Sequence, residues 1–421
     1  MTGRGHRGSR VGAAAALARL VVLGAALALI AGGCGERPLP TKVVVICIDG
    51  LDWDLAGPLV EAGRMPNLER IAARGVRCDL RSISRDERVR TPWLSIGAGR
   101  VLRESASLPA FRQDGTRYPG TETWGGRPFW EVLGERGVTV GVVNWPYTWP
   151  VSPVNGWIAT NGIAAAPEDG WDPISDLTWP PELAADLPAV RKPVTATTND
   201  DIGGFLNGTA WATAESPDIR DRVEDIRIEW ATDQSALQAA THFLDSRGQP
   251  DVTVVWFGGL LHILHPFWGP MHPDAPGISD PEEIVSTFKD VVPRYCERVD
   301  GLIGEVLAHA DPATTVIVCS GFGFRGPQRD SDGALRLGVE MHSETGLLAA
   351  SGPGIARGRA VTDASVLDVA PTVFALLGVP VPRDMDGFVM RDALDPGLLE
   401  RRPVTFADAP AREAPPAEGD R

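Results

Sequence analysis

The chain has 421 residues, 43% of them hydrophobic and 23% charged, with 40 Lys and Arg against 55 Asp and Glu for a net charge of −15. These proportions describe an ordinary globular chain and exclude a disordered, collagen-like or multi-span membrane protein. The acidic balance also excludes a typical nucleic-acid binder, which needs clustered Lys and Arg against phosphates.

The N-terminus departs from these averages. Arg4, Arg7, Arg10 and Arg19 precede an apolar run at 20–31, followed by Gly32, Gly33 and Cys34. A basic flank, a greasy core of twelve residues and small residues predict a cleaved export signal, because so short a core cannot span a bilayer. Residues 1–33 read as the signal, and the segment resembles a bacterial lipobox in which Cys34 is lipidated. The expected location is then the bacterial cell envelope, with the membrane as partner through the acyl chains on Cys34. A plain signal with an incidental Cys is the alternative. Removing the four Arg leaves 36 basic against 55 acidic side chains, a net of −19. The other cysteines are Cys47, Cys78, Cys296 and Cys319. Cys47 and Cys319 fall in apolar runs, where Cys behaves as a small hydrophobe, and no disulfide is assigned.

Residues 34–41 read as a tether. Unbroken β-branched runs follow at 43–48, 138–143, 252–257 and 314–319. Such runs predict strands of a parallel sheet buried on both faces. Helical periodicity lies between them at 128–136, 229–246 and 287–309, where Pro293 marks a kink or the true start, and at 363–377, closed by Gly378 and Pro380. Alternating strands and helices give a doubly wound α/β fold. Residues 166–228 break the rhythm, being rich in Pro, Asp and Trp, and read as an insertion or cap. Residues 393–421 are poor in apolar side chains and read as a disordered tail. In such a sheet, binding and chemistry sit beyond the carboxyl ends of the strands, which singles out Asp49, the segment after Phe257, and Ser320 onward.

Several segments carry a resemblance in the right order. They are VVVICIDGLDWDLAGPLVEAGRMPNLERIAARG at 43–75, WLSIGAGR at 93–100, GVVNWPYTWPVSPVNG at 141–156 and HPFWGP at 265–270. GLLAASGPGIARG at 346–358 and DVAPTVFALLGVPVPRDMDGFVM at 368–390 complete the set. Together they resemble the type I phosphodiesterase/nucleotide pyrophosphatase branch of the alkaline phosphatase superfamily over residues 42–392. The resemblance implies an alkaline-phosphatase-like domain with a mostly parallel central sheet and helices on both faces. It also implies two zinc ions flanking a Thr or Ser nucleophile. Two dications stabilise an attacking alkoxide and the transferring phosphoryl group.

Carried over residue by residue, the resemblance gives an incomplete ligand set. The Asp ending the first strand is Asp49. The Asp-x-x-x-His pair keeps its His as His265 but has Leu261 for Asp. The Ser-Asp-His-Gly segment is SGFG at 320–323, so Gly321 and Phe322 replace Asp and His. The late His is His342. The nucleophile position falls on Val89, and Thr91 could serve only if the loop were shorter. Leu and Phe cannot coordinate a metal, and a catalytic zinc needs three protein ligands. Two readings follow. In the first, the two-metal centre is lost and the chain is a binding or regulatory pseudoenzyme. Asp49, Trp93 and Trp268 then line a pocket for a phosphorylated small molecule or a glycan. In the second, His262 takes the place of the missing Asp. With His265 and His342 it holds zinc or another divalent ion, with Asp49 a further candidate ligand, and Thr91 is the candidate nucleophile. The aromatic residues Trp53 and Trp145 read as packing. Glu344 reads as a surface charge that could otherwise orient His342.

Overall fold

β1 (Val43–Ile48) is fully buried and divides the molecule. Val44, Ile46 and Ile48 point into one apolar cluster, and Val43, Val45 and Cys47 into another. Period-two alternation therefore feeds two cores, which is why the run contains no polar residue. The computed structural model describes residues 41–83, 92–102, 126–163, 176–275, 277–329, 332, 335–336 and 341–409. Residues 1–33, read from the sequence as an export signal, and Cys34, Val89 and Thr91 lie outside the described residues.

In chain order β1 is followed by α1 (Trp53–Glu61), α2 (Pro66–Arg74), β2 (Val76–Arg81), α3 (Pro92–Ala98), α4 (Phe129–Glu135), β3 (Val140–Val143), β4 (Gly156–Ala159) and β5 (Thr178–Trp179). Then come α5 (Pro217–Arg247), β6 (Val252–Phe257), α6 (Gly259–Met271), α7 (Glu282–Phe288), α8 (Val291–Ala308) and β7 (Thr315–Cys319). A small ribbon, β8 (Gln328–Arg329) and β9 (Leu335–Arg336), precedes β10 (Thr345–Ser351) and α9 (Val369–Leu377). β11 (Val381–Pro382), α10 (Pro396–Arg401) and β12 (Phe406–Ala407) end the described chain.

Eight strands form one sheet in the order β2-β10-β7-β1-β6-β3-β4-β5. β7, β1, β6, β3 and β4 are parallel, while β10 runs antiparallel to both β7 and β2, and β5 antiparallel to β4. The sheet is thus mostly parallel, and its central strands deliver Asp49, Gly258 and Ser320 to one edge. The register Cys47↔Trp256 and Cys47↔Cys319 sets these ends side by side.

Three elements differ from the sequence expectation. α5 begins at Pro217, twelve residues before the predicted start. Ile219, Val223 and Ile226 supply a buried stripe there, hidden in the sequence among charges such as the Asp218–Arg222 pair. The insertion therefore ends before Pro217. Within it, Leu183, Leu187, Val190, Ile202, Phe205, Leu206 and Trp211 join the same cluster as Ile46 and Ile48. The helix predicted at 287–309 is α8, which starts at Val291, and Pro293 sits in its first turn, marking the start rather than a kink, where a missing N–H costs nothing.

Residues 393–409 are not a tail. Asp395 accepts a hydrogen bond from Gly397 N at 2.8 Å and starts α10 at Pro396. Ala393, Leu394 and Leu398 are buried, and β12 pairs with β11. Three anchoring side chains suffice for so short a segment, too few to register as an apolar period. Residues 410–421 lie outside the described residues.

Candidate functional site

β1 ends in a turn that only glycine can make. Gly50 has φ +84°, and a Cβ there would meet Leu264 Cδ1 at 3.0 Å and Leu261 Cα at 3.1 Å. The turn leaves Asp49 at the carboxyl end of the sheet with its N–H on Phe257 O at 2.9 Å. Asp49 is 6% exposed, and its Oδ1 has no hydrogen-bond partner among the described residues. Burial pushes its carboxyl up to about 7, opposed by the nearby Trp93 indole and by the charge on His262.

Asp52, three residues on, has a structural task that sequence reasoning did not assign. Its Oδ1 accepts from Leu55 N at 2.9 Å and caps α1, and its Oδ2 accepts from Phe324 N at 3.2 Å. Gly323 passes so close that a Cβ would lie 1.8 Å from Asp52 Oδ2. Ser320 completes the clamp: its hydroxyl accepts from Leu51 N at 3.2 Å and donates to Phe322 O at 2.7 Å. Ser343 accepts from Gly323 N at 3.0 Å. The loop after β7 is thus held by a carboxylate and two hydroxyls.

This loop delivers aromatic rings. Phe322 stacks on His342, with ring centroids 4.1 Å apart and an interplanar angle of 17°. Phe324 meets His265 edge-on at 5.0 Å and Trp268 at 5.3 Å. His265 and His342 lie side by side at 5.8 Å. His342 is buried, which pushes its imidazole down to about 4 with a further contribution from His265. His265 is likewise lowered, by burial and by the charge on His262. Both rings are therefore neutral near pH 7.

α6 starts against a buried acid. Asp233 on α5 accepts from Gly259 N at 3.2 Å and from the Tyr295 hydroxyl at 2.9 Å. Burial raises it to about 6, opposed by the Tyr295 hydrogen bond. One turn earlier on α5, Glu229 Oε1 lies 2.9 Å from His262 Nδ1, and this bond lifts His262 to about 8. The next residue back, Leu261, packs against the Gly50 turn.

Trp93 lies on α3, every residue of which is buried, and meets Trp145 at 5.5 Å and Trp256 at 6.1 Å, both edge-on. Trp145 is fully buried under it. Trp53 turns to β2, donating to Cys78 O at 2.9 Å. Glu344 is 66% exposed and pairs with Arg325 at 3.7 Å.

Residues 97–373 match the sequence profile of the type I phosphodiesterase / nucleotide pyrophosphatase family. The chain belongs to this family. No curated protein sequence matches it. Among solved structures it is similar to human ectonucleotide pyrophosphatase / phosphodiesterase 5, at 11% identity over 84% of this chain and 100% of that one, with a TM-score of 0.47. It is also similar to a 2-O GAG sulfatase, at 14% identity over 83% and 73%, TM-score 0.45. Phosphonoacetate hydrolase from Sinorhizobium meliloti is similar at 17% identity over 71% and 60%, TM-score 0.34.

The described donors of this phosphodiesterase-family chain do not assemble a site for a pair of zinc ions. Among the described residues no three of His, Cys, Asp and Glu converge on a point where a metal could sit. His265 and His342 are neighbours, but a phenyl ring covers one face of His342. His262 Nδ1 is committed to Glu229, and Asp49 contributes a lone carboxyl. Leu261, Gly321 and Phe322, where the sequence resemblance would put three ligands, offer no side-chain lone pair. The site instead presents a buried carboxyl, a Glu–His pair and an aromatic wall. Glu229 and Asp233 were invisible in the sequence, since charges on a long helix carry no signal of what they face, and Tyr295 read only as part of the apolar face of its helix.

Proposed function

We propose that this chain is an exported, lipid-anchored phosphodiesterase-family protein whose two-metal centre has given way to a metal-free pocket that binds a ligand without cleaving it. The observation that carries the reading is the stacking of Phe322 on His342, at the family position for a ligand imidazole. A hydrocarbon ring there adds dispersion and offers a metal ion no coordinating lone pair. The His262–Glu229 pair supports it, since a protonated imidazole supplies the positive charge beside Asp49, Glu229 and Asp233. The ligand would be a small phosphorylated molecule or a glycan, with Trp268 as aromatic surface and Asp49 as a hydrogen-bonding group, while Trp93 packs beneath them between Trp145 and Trp256. The test is hydrolysis of bis-p-nitrophenyl phosphate by purified protein before and after loading with excess zinc. Rates equal to the buffer blank in both states are expected. Zinc-dependent turnover abolished by Asp49→Ala would overturn the reading.

A second reading rests on the closeness of the neutral His265 and His342 rings and on the unpartnered Asp49 Oδ1. It makes the protein a phosphoester hydrolase with one metal at His262, His265 and His342, and it requires His262 to leave Glu229. Metal content measured after changing each His to Ala separates the two, because this reading needs a loss in all three variants.

A further inference from the structure

We propose that Cys47 and Cys319 are a disulfide pair, closed while the chain folds in an oxidising compartment. The two lie directly opposite each other on the neighbouring parallel strands β1 and β7, and their Sγ atoms are 3.6 Å apart. Parallel neighbours are spaced about 4.8 Å, inside the Cα separation of about 4.4–6.8 Å that a disulfide spans. Bonding requires each sulfur to move by less than about 1 Å toward a separation of about 2.05 Å. Both side chains face the same apolar cluster and are 0% and 1% exposed. Cys78 lies on edge strand β2, and Cys296 lies on α8 in the other cluster, so the pairing is specific.

Burial also fixes when the bond forms. In the closed sheet neither sulfur is exposed enough for an external disulfide to reach it. Oxidation therefore precedes closure. A thiolate of one Cys attacks an external disulfide, the mixed disulfide is displaced by the second Cys, and the oxidant leaves as two thiols carrying both electrons and both protons. Cys47 stands two residues before Asp49, and Cys319 two before Gly321. The bond would pin together the two strand ends that carry the site.

The test refolds the full chain from reduced, denatured protein in a mixture of oxidised and reduced glutathione. The monomer is isolated, denatured without reductant and alkylated, and its peptides are mapped by mass spectrometry. The expected result is a Cys47–Cys319 linked peptide, with Cys78 and Cys296 alkylated. Alkylation of both Cys47 and Cys319 in refolded monomer with native circular dichroism would overturn the proposal. So would a link from Cys47 to Cys78 or Cys296. In Cys47→Ala, Cys319 should become fully alkylated. The same map on protein taken from cells under acid quench separates the pair from its location. A link in refolded protein with free thiols in cell material upholds the pairing and counts against export.

Discussion

Replacing Asp49 by Asn should stabilise the protein at alkaline pH. Burial raises this carboxyl from 3.8 to about 7, so folding favours its protonated form. Below pH 3.8 the group is neutral in both folded and unfolded chains and costs nothing. As pH rises the unfolded chain ionises first, and the folded state loses about 1.4 kcal/mol for each pH unit, levelling off above pH 7 at about 4 kcal/mol. Asn removes that cost but leaves its own amide unpartnered, which returns about 2 kcal/mol. The net expectation is a gain of about 2 kcal/mol at pH 8 and a loss of about 1.5 kcal/mol at pH 4. Urea unfolding of chelator-treated protein at the two pH values measures it. A variant less stable than the parent at pH 8 would refute the reasoning, because it would mean that the ionised carboxylate has a favourable partner in the native state.

Other consequences follow from the same geometry. His342→Gln should relieve acid sensitivity: with its imidazole lowered from 6.5 to about 4, the native state pays as pH falls below 6.5, reaching about 3 kcal/mol at pH 4, so urea midpoints should converge near pH 8 and separate near pH 4. His262→Gln should act in the opposite direction, since the Glu229 pair raises His262 to about 8; its contribution is full below pH 6.5 and is lost as pH rises through 8, so thermal unfolding should show a loss at pH 6 that disappears by pH 9. Tyr295→Phe leaves Asp233 with only the Gly259 N–H and should cost about 2 kcal/mol in urea unfolding. The triple variant Leu261→Asp, Gly321→Asp, Phe322→His restores the family's donors and should bind zinc measurably more tightly than the parent by equilibrium dialysis.

The central sheet was legible because burial on both faces leaves unbroken apolar runs. β1 and β6 match their predicted limits, and β3 and β7 start one or two residues inside theirs. The first half of α5 was not legible, because Ile219, Val223 and Ile226 are diluted by charged neighbours and declare themselves only once the insertion packs on them. The C-terminal segment misled for a similar reason, since only Ala393, Leu394 and Leu398 anchor it in the core. At the site, motif order placed Asp49, Trp93, His265, Trp268 and His342 along the chain, and the fold sets His265 against His342 and stands Asp49 beside Trp93. The partner of His262 could not be read, because Glu229 lies 33 positions away on another helix. Asp52 was not singled out at all, and nothing in its neighbours reveals that it grips the loop of Phe324.

The most direct test of the central claim is the number of zinc ions held by wild-type protein at equilibrium with a competing chelator of nanomolar affinity. The account predicts fewer than 0.2 ions per chain (an order-of-magnitude bound, since structural zinc sites bind with about 10–16 kcal/mol). Two ions per chain, lost together on changing Asp49 and His342 to Ala, would contradict it.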